Sequence, residues 1–136
     1  MKYWDLRAPT AQATLQLPER CYGFDVTFPV LVAITADRHE CLVDLKSAPQ
    51  TVFKDKPSTL KYQLRTVAYP DAKGYAVGSI EGRVSLNSIQ DPPANAQDNF
   101  AFKCHRQDKE VYPVHSIHFH RFGTFSTAGG DGEYRF

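Results

Sequence analysis

The sequence predicts an all-β chain assembled from a repeated four-stranded unit. Three observations predict it: short apolar or alternating runs throughout, no segment that keeps a helical period, and turn motifs that recur at a nearly fixed spacing. The runs are "KYWDL" (2–6), "TLQL" (14–17), "YGFDVTF" (22–28), "VLVAIT" (30–35), "ECLVDL" (40–45) and "TVF" (51–53). After them come "LRTVAY" (64–69), "YAVGSI" (75–80), "RVSLNSI" (83–89), "FAFKC" (100–104), "VHSIHF" (114–119), "TFSTA" (124–128) and "EYRF" (133–136). They are split by Gly, Pro and Asp, the strands are roughly four to seven residues long, and none of the runs continues at helical period for three turns.

The spacing gives these strands an order. "KYWDL" (2–6) lines up with "CLVDL" (41–45), 39 residues on. "AD" (36–37) aligns with "IE" (80–81), 44 residues on, and "VGSIEG" (77–82) with "AGGDG" (128–132), 50 residues on. Gly82 after Glu81 and Gly132 after Asp131 suit tight hairpin turns, because glycine takes positive φ without steric cost. "DAKG" (71–74) and "RFG" (121–123) mark the turns before them, and "DPPANAQDN" (91–99), polar with two prolines, reads as a mobile loop between the third and fourth strands of a unit. The unit is therefore strand, turn, strand, tight turn, strand, loop, strand, at about 40–50 residues, which is the period of a WD-type β-propeller.

The register opens inside a third strand and closes midway through another. About three blades fit, over segments of about 1–17, 18–56, 57–106 and 107–136, whereas closed propellers use about four to eight. The expectation is a fragment of a longer propeller; the alternative is a short repeat protein that closes by oligomerising.

Composition narrows the function classes. The 136 residues carry 42% hydrophobic and 23% charged side chains, a globular composition of single-domain size. Sixteen Lys+Arg balance fifteen Asp+Glu to a formal charge of +1, so there is no global field for nucleic acid or anionic membrane, and electrostatic recognition must be local. Three cysteines with no CxxC pair fit a reduced cytosolic or nuclear compartment. "FPVLVAI" (28–34) is too short to span a bilayer, and "MKYWDLR" has no secretory apolar core, so a soluble intracellular protein is expected.

One segment concentrates chemistry. "FAFKCHR" (100–106) gathers Lys103, His105 and Arg106 in an otherwise neutral chain. Strand alternation puts Lys103 and His105 on one face and Phe100, Phe102 and Cys104 on the other. Adjacent Cys104 and His105 then point apart and form no nucleophile–base pair. His118 and His120 share a face but have no third zinc ligand at a recognisable spacing, and no glycine-rich loop opens a helix to cradle phosphate. A single-stranded RNA surface of Lys103, Arg106 and Arg121 with Tyr112 and Phe122 is a weaker alternative. What remains is an anion-reading patch or a solvated strand face.

Five stretches in order decide between them: "LQLPERCY" (15–22), "LKYQLR" (60–65), "GSIEGRV" (78–84), "DNFAFKCHR" (98–106) and "YPVHSIHFH" (112–120). Together they resemble the WD-repeat messenger-RNA export factor of the nuclear pore. The sister family, the WD-repeat protein of the mitotic spindle checkpoint, shares most of them, but "LPERCY" and "DNF" favour the export factor. The likeness covers nearly the whole chain and implies the middle blades of a seven-bladed propeller, residing in the nucleus and at the nuclear envelope with cytoplasmic shuttling. Only one Trp-Asp pair is present, and "AGGDG" replaces a Gly-Ser-Asp-Gly turn.

The resemblance implies a non-enzymatic adaptor without cofactor. Both families bind a short acidic segment, the GLEBS motif, which belongs to a nucleoporin for the export factor and to kinetochore kinases for the checkpoint protein. The family pattern places Arg83, Lys103 and Arg106 at acidic partner groups, with His105 beside them on the Lys103 face. Tyr62 and Arg65 stand between partner contact and blade packing. Trp4, Asp5, Gly82, Asp131 and Gly132 are structural on this pattern: the Trp packs between blades, and the Asp joins a hydrogen-bond network within the repeat.

Overall fold

The computed structural model describes residues 1–71, 73–90 and 99–136. Most of the loop expected at 91–99, and Ala72 of the "DAKG" turn, lie outside them. No helix occurs among the described residues, and every strand pairing is antiparallel.

A ribbon of β1 (Lys2–Tyr3) and β2 (Ala13–Thr14) comes first. Sheet one follows as a meander of β3 (Cys21–Thr27), β4 (Val30–Thr35), β5 (His39–Asp44) and β6 (Val52–Pro57). Sheet two repeats it with β7 (Leu64–Asp71), β8 (Gly74–Ser79), β9 (Arg83–Ser88) and β10 (Phe100–Lys103). A small hairpin, β11 (Arg106–Gln107) and β12 (Glu110–Val111), leads into sheet three: β13 (Val114–Phe119), β14 (Phe125–Gly129) and β15 (Tyr134–Arg135).

The sheets stack face to face, with β3 beside β7 and β7 beside β13. Interior strands are therefore covered on both sides. That is why "VLVAIT" and "YAVGS" are continuous apolar runs instead of alternating ones: β4 and β8 are buried at every position but the first. By contrast β6, the outer strand of sheet one, alternates half-buried and exposed residues.

Between sheets one and two lie Val32, Ile34 and Leu42 against Leu64, Val67, Tyr75 and Val77. Leu31, Ala33, Cys41 and Val43 line the other face of sheet one and meet Leu15 and Leu17. Ala76 and Val84 of sheet two pack on Val114 and Ile117 of sheet three. Burial of each large apolar side chain contributes about 1.5–3 kcal/mol. At Gly78 the second and third sheets come too close for a side chain: a Cβ there would lie 2.9 Å from the Val114 side chain.

One polar group sits inside the first interface. Glu40 on β5 is wholly buried; the Tyr75 hydroxyl donates to its Oε2 at 2.6 Å, and Lys56 Nζ lies 3.4 Å away. Lys56 also lies over the Tyr75 ring, 5.3 Å from its centroid. Burial first, and the Glu40 charge second, push the Tyr75 phenol far above its ordinary range.

The Trp-Asp pair differs from expectation. β1 ends at Tyr3, so Trp4 is not on a strand and is 65% exposed. Among the described residues Asp5 joins no buried network. It caps its own turn by accepting from the Arg7 backbone N–H at 2.9 Å, and it pairs with the Arg7 guanidinium at 2.6 Å. The short Asp-x-Arg spacing supplies a local partner, and the turn carries Trp4 away from the sheet.

Candidate functional site

The site begins with a turn. β8 ends at Ser79, and the chain reverses through Ile80, Glu81 and Gly82 into β9. Gly82 sits at φ +64°, and a Cβ there would lie 2.3 Å from the His105 carbonyl. Both the left-handed backbone and the close approach require glycine. Gly132 holds the matching turn of sheet three at φ +78°, next to Asp131.

Several segments converge on this turn. The Gly82 carbonyl accepts the Cys104 N–H at 2.9 Å, which fixes the end of β10 beside it. The Ile80 N–H donates to the Gln63 carbonyl at 3.0 Å and holds the loop bearing Tyr62 on its other side. Arg38, in the equivalent turn of sheet one at φ +66°, donates to the Lys61 carbonyl at 2.6 Å.

Arg83, Lys103, Arg106 and Tyr62 of the expected binding residues therefore lie close to this turn, and Arg65 is the second residue of the adjacent β7. Arg83 and Lys103 stand directly opposite each other in the β9–β10 register. Like charges so placed repel, which works against the sheet unless an anion comes between or above them. Arg106 donates through Nε to the Glu81 carbonyl at 3.1 Å, and its Nη2 lies 3.4 Å from Glu81 Oε2. Arg83 Nε is 3.5 Å from the same oxygen, yet it is buried without a hydrogen-bond acceptor among the described residues. Lys103, Arg65 and Tyr62 are exposed.

His105 belongs elsewhere. It was expected to share the Lys103 face, but it is fully buried. Its Nδ1 lies 2.8 and 3.0 Å from the two Asp131 carboxylate oxygens, and its Nε2 lies 3.0 Å from Thr127 Oγ1. The reason is local: β10 stops at Lys103, and the Arg106 N–H bonds the Cys104 carbonyl, so strand alternation no longer governs residue 105. His105 is a core residue that links the β10–β11 connection to sheet three.

Asp131 is also held by Arg135, whose Nη2 lies 3.1 Å from Oδ2; Arg135 Nη1 donates to the Cys104 carbonyl. Burial alone would raise the Asp131 carboxyl. Hydrogen bonds from His105 and the Glu133 N–H, with the His105 and Arg135 charges, outweigh it and hold the carboxyl below its ordinary range.

The thiols are not activated. Burial pushes Cys21 and Cys104 up, and Cys41, which also faces Asp55, reaches about 12. No group of three metal-ligating side chains is assembled among the described residues. Arg121, which lies over the Phe122 ring at 4.7 Å, is in the turn between β13 and β14, at the opposite end of the sheets from Lys103 and Arg106. These groups do not form one surface.

Glu81, which sequence reasoning passed over except as a turn residue, is the only carboxylate within ion-pair distance of Arg83 and Arg106 among the described residues. Its position beside Gly82 was visible in the repeat; its reach to Arg106, twenty-five residues on, was not.

No protein-family model matches the chain. Among curated proteins, it is 46% identical over its full length to "Poly(A)+ RNA export protein" of Schizosaccharomyces pombe, covering 40% of that protein. It is 43% identical over its full length to "mRNA export factor GLE2" of Chaetomium thermophilum, covering 39%. It is 42% identical over its full length to "WD40 repeat protein poxJ" of Penicillium oxalicum, covering 41%. The chain spans about two-fifths of the length of these relatives. Over the part of their length that it spans, the chain is similar to proteins named for poly(A)+ RNA and mRNA export and for WD40 repeats.

Proposed function

We propose that this chain is a non-catalytic adaptor segment acting in messenger-RNA export, and that the sheet end bearing Arg83, Lys103 and Arg106 takes an acidic, GLEBS-type peptide of a nucleoporin at the nuclear pore. The names of its relatives support the export role. The observation that carries the peptide reading is the state of Arg83, whose Nε is buried without an acceptor while Lys103 faces it across the strand pair.

Such a site recognises carboxylates in a definite way. A guanidinium fork offers parallel donors to a planar carboxylate, and a partly buried one does so at reduced dielectric. Lys103 adds an exposed point charge that attracts the peptide and accepts less strict geometry. Tyr62, 57% exposed, offers an aromatic edge beside the charges for an apolar residue of the same peptide.

Titration of an acidic peptide against the tethered chain tests this. Removing one partner of a desolvated charge pair costs about 2–5 kcal/mol, or roughly 30- to several-thousand-fold in affinity. Arg83→Glu is expected to abolish binding with the fold intact. Lys103→Glu is the cleaner second arm, because Arg106 also anchors the turn backbone. Folded variants that bind within threefold of the unmodified chain would reduce the cluster to a solvated face.

A further inference from the structure

We infer that Glu81 is a built-in counter-ion of the cation cluster, and that an acidic partner binds by competing with its carboxylate. The inference rests on the peptide reading above and adds how that site is regulated and what it selects.

The equivalent acids of the other two sheets have partners of their own outside this cation cluster. Asp37 accepts the Thr35 hydroxyl at 2.6 Å, and Asp131 is held by His105. Both are aspartates in the turn before the third strand. In sheet two the residue is one methylene longer, and its hydroxyl neighbour is otherwise engaged: Ser79 Oγ accepts the Glu81 N–H at 3.4 Å and lies 3.5 Å from the Arg83 carbonyl. The Glu81 side chain is only 12% exposed and reaches Arg83 and Arg106 instead, at 3.5 and 3.4 Å.

Arg106 does not depend on that carboxylate for its place. Arg106 is anchored through Nε to the Glu81 backbone carbonyl, which any residue at 81 provides. The backbone of Arg83 is fixed by its pairing with Lys103 across the β9–β10 ladder, whatever stands at 81. What the carboxylate supplies is charge. It neutralises part of the cluster in the free protein and leaves the rest, chiefly Lys103, to attract a ligand.

The chemical consequence is a threshold. One carboxylate merely exchanges with Glu81, an ion pair for an ion pair. A segment with two neighbouring carboxylates satisfies Arg83 and Lys103 together and outcompetes it. The site therefore selects paired acids over single ones.

The test uses the chain tethered at low density and two synthetic peptides, one with two adjacent glutamates and one with a single glutamate. Glu81→Gln is expected to tighten the diacidic peptide about tenfold and to bring the monoacidic peptide within about tenfold of it. Glu81→Met, neutral and of similar volume, provides a second variant. Folded variants that bind the diacidic peptide equally or more weakly would make Glu81 a positioning residue and overturn the inference, leaving the peptide reading intact. An unmodified chain that ignores the diacidic peptide overturns both. Unfolding of both variants also overturns the inference, since the carboxylate would then be a structural requirement.

Discussion

Replacing His105 by alanine separates the two roles this residue has had, partner contact in the sequence and core residue in the structure. The imidazole is wholly buried and holds Asp131 at 2.8 Å and Thr127 at 3.0 Å. Its removal leaves the Asp131 carboxylate, 1% exposed, with Arg135 and the Glu133 N–H, and leaves the Thr127 hydroxyl without its ring partner. Breaking one side of a buried charged or polar pair costs about 3–5 kcal/mol, and the void left by the ring adds to this where the walls cannot collapse. Gly129 is one such wall: a Cβ there would lie 2.3 Å from the imidazole. A loss of about 4 kcal/mol moves the urea midpoint down by about 2 M at a slope of about 2 kcal/mol/M. Urea unfolding followed by circular dichroism measures it. His105→Ala and Asp131→Ala together are expected to cost less than the sum of the singles, because they remove one interaction. A loss under about 1 kcal/mol, or a folded His105→Ala chain whose acidic-peptide affinity falls more than tenfold, would refute the core assignment and return the imidazole to the binding face.

Three further outcomes are expected. Because the folded Asp131 carboxyl sits below its unfolded value of 3.8, its contribution is full above that value and is lost as pH falls through the lower folded one; thermal melts should show the decline on the acid side of 3.8 and its absence in Asp131→Asn. Tyr75→Phe leaves buried Glu40 with Lys56 alone and is expected to cost about 2–3 kcal/mol in denaturant unfolding, whereas Glu40→Leu combined with Tyr75→Phe should cost less than Tyr75→Phe by itself. Tyr22, Phe24 and Val26 expose one apolar face of β3 and Phe28 is exposed just beyond it, so sedimentation is expected to show concentration-dependent self-association that Phe24→Lys with Phe28→Lys abolishes.

Much of the fold was legible because its determinants are local. The runs "VLVAIT" and "YAVGSI" marked strands, which the structure buries on both faces, and the glycines after Glu81 and Asp131 marked hairpins whose φ values only glycine takes easily. Legibility failed where a local rule ran past its element. Alternation along "FAFKCHR" placed His105 correctly only if β10 continued, and it stops two residues earlier. Trp4 was read from a repeat pattern whose packing depends on a strand, and β1 is already over at Tyr3. Within the site, Arg83 and Lys103 were visible as anion-suited residue types, but their cross-strand pairing and the reach of Arg106 to Glu81 are products of register and stacking. No spacing rule encodes those.

The Arg83–Lys103 pairing also ties recognition to local folding. Two cations held opposite each other make the β9–β10 edge the strand pair that gains most from an added negative charge. A ligand that supplies this charge binds the closed pair and has no such site when the edge opens, so its binding free energy appears as resistance of that edge to opening. Amide protons of Val84 and Phe102, next to the cations on the same two strands, would then exchange more slowly in proportion to ligand occupancy, while those of sheet one would scarcely register it. The outer edge of sheet two becomes a gauge, readable proton by proton, of whether the proposed acidic ligand is in place.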